Sequence, residues 1–340
     1  MTRSRDVSDS QDNLGGAVAP FVAGKNFLIN GGFDFFQRGS LSTTTGGYGL
    51  DRWYQVSSGS GAAVTVTQQT TGVPLGSRYC ARITTAAGSG YGNQYQWIET
   101  SNVAALWGKT VTLSIKLRRN AAFAGTLSVV LSKTATVDGG LGATWTSIGN
   151  ATITNSQLPT GTTSTDWYTV AFAVAIPNDG TANGLQLSIQ QSQVETSAYW
   201  EMAQAQLEIG AVATPFSRAG GSIGGELALC QRYYQRFTNL SAYERFGFGS
   251  AVSTSAVQIT VPLKVTLRTT ASAIDYAGIT IYDGTTQSTA ATSVVLDSAS
   301  ANFPEVTISG SIGVTTIYRP YWAIGNGTVN GSYLGFSAEL

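Results

Sequence analysis

The chain has 340 residues, enough for about two domains or one large all-β domain with an appendage. Only 11 % of them are charged, the 19 basic and 19 acidic residues cancel, histidine is absent and cysteine occurs twice. These numbers exclude Ser-His-Asp and Cys-His catalysis and remove the commonest zinc ligand, speak against a disulfide framework, and leave no basic face for nucleic acid beyond Arg3 with Arg5 and Lys116 with Arg118 and Arg119.

Glycine, at 40 residues, together with dense Thr and Ser suits strands and tight turns, while 10 % aromatic and 42 % hydrophobic residues supply a core. Residues 1–25 are polar and mixed in charge, with Val7, Leu14 and the VAPFV stretch as the few apolar anchors. They read either as a disordered tail or as an arm that orders on another subunit. The opening holds no apolar secretory segment, and no apolar run approaches the roughly 18 residues of a membrane span. The expectation is a protein made in a cytosol, inserted in no membrane, and kept there or released by lysis.

In KNFLINGGFDFFQRG (25–39), Asn30 with Gly31 or Gly32 is expected to supply positive φ, turning the chain so that Phe33, Phe35 or Phe36 enters the core. Strand signals then follow at short spacing: AAVTVTQQ, KTVTLSIKLRR, GTLSVVLSKT, WYTVAFAVAIP, NGLQLSIQQSQ and AYWEMAQAQLEIG. In the second of these Val111, Leu113, Ile115 and Leu117 alternate with Thr110, Thr112, Ser114 and Lys116, the period-two pattern of a half-buried strand. VDGG, PNDG and TANG fit hairpin turns. SRAGGSIGGE (217–226) reads as a linker, and ELALCQRYYQRF after it as a short helix with Leu227, Cys230 and Tyr234 on one face. From 239 the strand text resumes in SAVQITVPLKVTLR, where Val257, Ile259, Val261, Leu263, Val265 and Leu267 share a face, and continues through AGITIYDGTT, EVTISGS, VTTIYRPYWAIG and GSYLGFSAEL. No repeat of 20–50 residues appears. The fold class is therefore all-β: an N-terminal arm (1–25), a jelly-roll β-sandwich (26–217), a linker and short helix (218–238), and a second, smaller antiparallel β domain (239–340).

GGYG, GSGYGN and GGLG are not followed by a helical pattern or Gly-Lys-Ser/Thr, so they read as turns rather than phosphate loops. No two carboxylates are placed together by local spacing, and Asp138, Asp166 and Asp179 sit in turn contexts; no catalytic residue is assigned. The aromatic residues carry more. GSGYGNQYQWIE puts Tyr91, Tyr95 and Trp97 on one strand face, with Asn93, Gln94 and Gln96 between them. That row either faces the core or forms a platform for sugar rings. Trp53 and Trp200 lie in strand-like text and read as core. Trp145 and Trp167 lie near loops, and Tyr318, Tyr321 and Trp322 precede a turn. The candidate glycan-binding residues are Tyr91, Tyr95, Trp97, Trp145 and Trp322.

KNFLINGGFDFFQRGS, LDRWY, LEIGAVATPF and GELALCQRYYQRF, in that order over about 25–237, resemble tail-fibre and receptor-binding proteins of tailed bacteriophages. The resemblance implies a virion component without enzymatic activity, usually a homotrimer, attached to tail or capsid proteins through residues 1–25 and meeting a host surface glycan. A head spike or decoration protein is the alternative, and a polysaccharide-degrading tailspike a further one. Residues 27–217 also resemble carbohydrate-binding jelly rolls that open with Asn-Gly-Gly-Phe and a following acid. In those modules the acid helps hold a structural calcium; the matching positions here are Asp34 and Glu201, while the usual paired Asp of the last strand is replaced in YWEMAQAQLE.

Overall fold

The computed structural model describes residues 24–59, 63–85, 90–192, 195, 197–285, 290–310 and 317–340. The expected docking arm, with Val7, Leu14 and VAPFV, lies outside the described residues except for Gly24 and Lys25. The chain divides into two compact units. The first takes residues up to Asp34, Ser40–Gly49 and Trp53–Glu226; the second takes Phe35–Gly39, Leu50–Arg52 and Leu227–Leu340. Among the described residues no helix is long and apolar enough to cross a membrane.

Among the described residues the first unit has twelve strands: β1 (Leu41–Thr43), β2 (Gly46–Tyr48), β3 (Tyr54–Gly59), β4 (Val64–Gln69), β5 (Cys80–Thr85), β6 (Gly90–Ile98), β7 (Thr110–Arg119), β8 (Leu127–Thr134), β9 (Thr146–Ile153), β10 (Tyr168–Ala175), β11 (Gly184–Gln191) and β12 (Tyr199–Ile209). They form two six-stranded antiparallel sheets, β1-β4-β5-β12-β7-β10 and β2-β3-β6-β11-β8-β9. The sheets face each other. A Cβ added to Gly92 of β6 would lie 2.5 Å from Val64 and 2.9 Å from Ile83 of the opposite sheet, so only glycine permits that approach. Val111, Leu113, Ile115 and Leu117 fill the interlayer space, as their alternation predicts, with Val129, Leu131, Leu187 and Trp200. Trp53 and Trp200 are core, and both cysteines are buried thiols.

The turn at 30–33 differs from its expectation in one respect. Asn30 does take positive φ (57°), but the second left-handed residue is Phe33 (57°), neither glycine. Gly31 and Gly32 serve close approach instead: a Cβ on Gly31 would stand 2.0 Å from the Ala205 carbonyl oxygen, and one on Gly32 2.7 Å from Asp34. Phe33 is the ring that enters the core, 5.3 Å from Trp53.

The glycine-rich stretch 217–226 is packed rather than loose. Ser217 and Glu226 are buried, and a Cβ on Gly220 would meet the Glu226 nitrogen at 2.2 Å. The helix runs Ile223–Gln231, with the Ser222 hydroxyl accepting from the Gly225 N–H at its start. It stops short of Tyr234, so Tyr234 does not share a helical face with Leu227 and Cys230. The β-favouring Tyr-Gln-Arg-Phe-Thr run is instead strand β13 (Tyr234–Thr238).

The second unit continues with β14 (Arg245–Ala251), β15 (Ala256–Thr260), β16 (Ala273–Ala277), β17 (Ile279–Tyr282), β18 (Ser293–Ser298), β19 (Glu305–Ser309), β20 (Pro320–Gly325) and β21 (Tyr333–Ser337). Its sheets are β13-β21-β16 and β17-β20-β14-β15-β19-β18, around a core that includes Val257, Ile259, Val306, Ile308, Ala323 and Phe336. The long strand expected over 255–268 ends at Thr260, because Pro262 has no N–H to continue the ladder. Val261 and Leu267 still reach the core, while Leu263 only packs against it.

Candidate functional site

Strand β6 carries the site. Its even positions point inward and include two amides, Gln94 and Gln96. Gln94 donates to Gln55 at 3.1 Å, and Gln55 donates to the Val64 carbonyl at 2.8 Å. Gln96 clamps Ile29, accepting from its N–H and donating to its carbonyl, both at 2.8 Å. These inward amides fix the strand, so Gln94 and Gln96 are removed from the platform expected of them. The odd positions, Tyr91, Asn93, Tyr95 and Trp97, lie on the outward face.

Antiparallel register extends that face sideways. Tyr48 of β2 pairs with Tyr54 of β3, Tyr54 with Tyr95, and Tyr95 with Ser188 of β11. One pair along, Trp97 stands opposite Gln186. The rings touch: Tyr48–Tyr54 at 5.0 Å edge-on, Tyr54–Trp97 at 5.5 Å, Tyr48–Trp97 at 6.4 Å, and Tyr95–Trp97 at 6.2 Å with only 12° between planes. Tyr48, Tyr54, Tyr91 and Tyr95 are half-buried, whereas Trp97 is 1 % exposed. The indole is therefore the backing of the row, and the tyrosines present its open surface. Asn93 accepts from the Gln191 N–H at 2.9 Å and reaches the Tyr95 hydroxyl at 3.5 Å; Gln190 donates to Ser188 at 3.0 Å. Burial, above all, pushes the Tyr95 phenol up from its ordinary value, so it stays a neutral donor at physiological pH.

Sequence reasoning missed Tyr48 and Tyr54, because GGYG was weighed only as a turn and LDRWY for its tryptophan. Trp145 does not join the row. It packs on Gly139 and Gly184, at the far end of β11 from the Ser188–Tyr95 pair, and donates to the Gly140 carbonyl at 3.4 Å. Trp322 belongs to the second unit, on β20 between Phe248 and Tyr282.

Asp34 and Glu201, the pair that the resemblance implies for calcium, are each paired with arginine. Asp34 takes a two-pronged contact from Arg218, 2.7 and 3.0 Å. Glu201, fully buried, accepts from Arg82 at 2.8 Å and from Arg118. Carboxylates already neutralised by guanidinium groups do not fit a calcium shell of six to eight oxygens, and the same arginines repel a cation. Among the described residues no group of three or more His, Cys, Asp or Glu is placed to hold a metal. Arg118 is further held by the Gly72 and Thr163 carbonyls and the Trp167 ring, 4.3 Å away. Asp166 and Asp179 do turn work, each accepting from a local N–H, of Thr163 and Thr181, whereas Asp138 accepts from the distant Thr100 N–H at 2.9 Å.

The described architecture defines the class: an all-β chain whose first unit is a two-sheet sandwich with an aromatic row on one outward face. No protein-family model and no curated protein matches it. Solved structures similar to it include tailspike protein 4 of bacteriophage CBA120, enzymatically active domain, at 14 % identity and a TM-score of 0.37 over 55 % of this chain, which spans 22 % of that one. They also include a CBM4 (19 %, TM-score 0.31, 53 % of this chain and 98 % of that one) and the CBM22-1 xylan-binding domain of Paenibacillus barcinonensis Xyn10C (13 %, 0.34, 58 % and 100 %). Likenesses at this level leave the site to be judged on its own residues.

Proposed function

We propose that the protein is a non-enzymatic bacteriophage virion component of the tail-fibre or spike type, which attaches to the host surface by binding glycan on the outward row of Tyr48, Tyr54, Tyr91 and Tyr95. The observation that carries this is the ring array itself, half-open tyrosines backed by Trp97 and bordered by Asn93 and Gln190. Flat π faces meet the C–H faces of sugars, and fixed amides select hydroxyls. The named residues of the row include no carboxylate, which suits holding a sugar rather than hydrolysing it. The virion assignment rests on the resemblance of 25–237 to phage receptor-binding proteins. On this reading residues 1–25 dock on tail or capsid proteins, and three copies turn weak single-site binding into stable attachment.

The test is binding of the purified protein to a glycan array and to host cells, with Tyr54→Ala and Tyr95→Ala as variants and melting curves as the folding control. Each variant is expected to melt as a folded protein and to lose at least tenfold in apparent affinity. Blank arrays and blank cells for the parent protein would replace the receptor reading with a head-spike or decoration role.

A further inference from the structure

The second unit holds an aromatic pocket that the row above does not explain. Ile279, Ile281, Tyr321 and Ala323 point into the core, so Tyr282, Trp322 and Ile324 lie on the opposite face of their strands. There Tyr243, Arg245, Tyr282 and Ile324 line a pocket of about 330 Å³, at the small end of the range for organic ligands. The Tyr282 and Trp322 rings are 6.2 Å apart at 37°, and the Arg245 guanidinium carbon stands 4.9 Å from the Trp322 ring centre.

The charges around this pocket are uneven. Arg319 is paired with Asp283 at 3.3 Å. Glu244, next in sequence to Arg245, is turned back to accept from the Leu240 and Ser241 N–H groups. Among the described residues no carboxylate lies within ion-pairing distance of Arg245. A guanidinium steered by an indole face keeps its donors free for a planar, two-oxygen acceptor.

The loop that brings Tyr243 to the pocket is set in advance. Asn239 accepts from the Ser332 N–H at 2.9 Å and donates to the Thr328 and Ser241 carbonyls at 2.8 and 3.2 Å. Tyr243 itself takes a left-handed φ of 61° and remains 53 % exposed. A large apolar ring held open in a strained backbone is a feature that ligand sites retain and cores do not. The Tyr282 hydroxyl donates to the Gly284 carbonyl at 2.7 Å, which leaves its oxygen lone pairs as acceptors.

From these residues we infer a second ligand site, in which the Tyr243 and Tyr282 rings pack on one sugar residue and Arg245, held on the Trp322 ring behind it, pairs with its carboxylate: a site for acidic sugars such as uronic or sialic acids. It deepens the glycan-binding reading but stands on other residues. The probes are methyl glucuronide, methyl galacturonide and methyl N-acetylneuraminate, set against methyl glucoside and methyl galactoside, with binding to the whole protein followed by ligand-observed NMR and calorimetry. The expected result is at least tenfold preference for one or more acids over the neutral sugars, weakened by salt, abolished in Arg245→Gln and partly kept in Arg245→Lys. The preference should persist in Tyr95→Ala, which separates this site from the row. Failure of every acid to bind, equal binding of acid and neutral partners, or a preference that survives Arg245→Gln would each overturn the site. Loss of the preference in Tyr95→Ala would also overturn it, by assigning the acid to the row.

Discussion

At the scale of single residues, most of the informative positions are ones where a small or charged group has one neighbour it cannot do without. Gly31→Ala would drive a methyl into the Ala205 carbonyl, whose nitrogen in turn donates to the Gly31 carbonyl at 2.9 Å. The backbone has to move, and the cost expected in denaturant titration is about 1–3 kcal/mol. Glu201→Gln leaves Arg118, whose side chain is 2 % exposed, without its counter-charge, and should cost about 3–5 kcal/mol by the same measurement. Asp51, in the second unit, has the opposite problem. Burial lifts its carboxyl to about 6, against the pull of its Gln37 bonds and of Arg38. The folded pKa lies above the unfolded one, so the folded state binds more protons in between. The stability it confers is full below about pH 4 and is lost as pH rises through 6, a change of about 3 kcal/mol. Unfolding by urea at pH 4, 5, 6 and 7 should show this slope in the parent protein and not in Asp51→Asn.

At the scale of elements, the strands differ in how plainly they announce themselves. Thr110–Arg119 and Tyr168–Ala175 were legible because Val, Leu and Ile alternate with Thr, Ser and Ala over their whole length. Tyr54–Gly59 was not, and Gly90–Ile98 showed only its aromatic face and not which face is buried, since their inward positions include Gln55, Ser57, Gly92, Gln94 and Gln96. A strand whose buried face is amide and glycine has no hydrophobic period to read. This is also why half of the aromatic row was missed: Tyr54 alternates with residues more polar than itself. The arginine partners of Asp34 and Glu201 were illegible for a related reason, as nothing local in the sequence tells which distant arginine will meet either acid. The inward amides predict a cost of their own. Gln96→Leu adds apolar volume to the interior but strips Ile29, 8 % exposed, of partners for both its N–H and its carbonyl. Equilibrium unfolding should show a loss of about 1–3 kcal/mol for each group left unpaired, where a hydrophobicity argument alone expects a gain.

At the scale of the whole molecule, the second unit is discontinuous in sequence. Arg38 lies over the Tyr234 ring at 3.4 Å and meets Glu339 at 3.3 Å. Arg52, 1 % exposed, stacks on Tyr233 at 3.5 Å and also pairs with Glu339. Gln37 ties Asp51 to the Tyr234 carbonyl. A fragment Leu227–Leu340 lacks all of these, leaving Glu339 buried without a counter-charge. Its circular-dichroism melt should be broad and shifted to lower temperature than the matching transition of the whole chain; an unshifted, sharp melt would show that Phe35–Gly39 and Leu50–Arg52 are dispensable. Arg52 and Glu339 are 287 residues apart, so this ion pair closes only after Glu339 has left the ribosome. Products that stop short of Glu339 would thus keep a half-built surface that marks them for degradation.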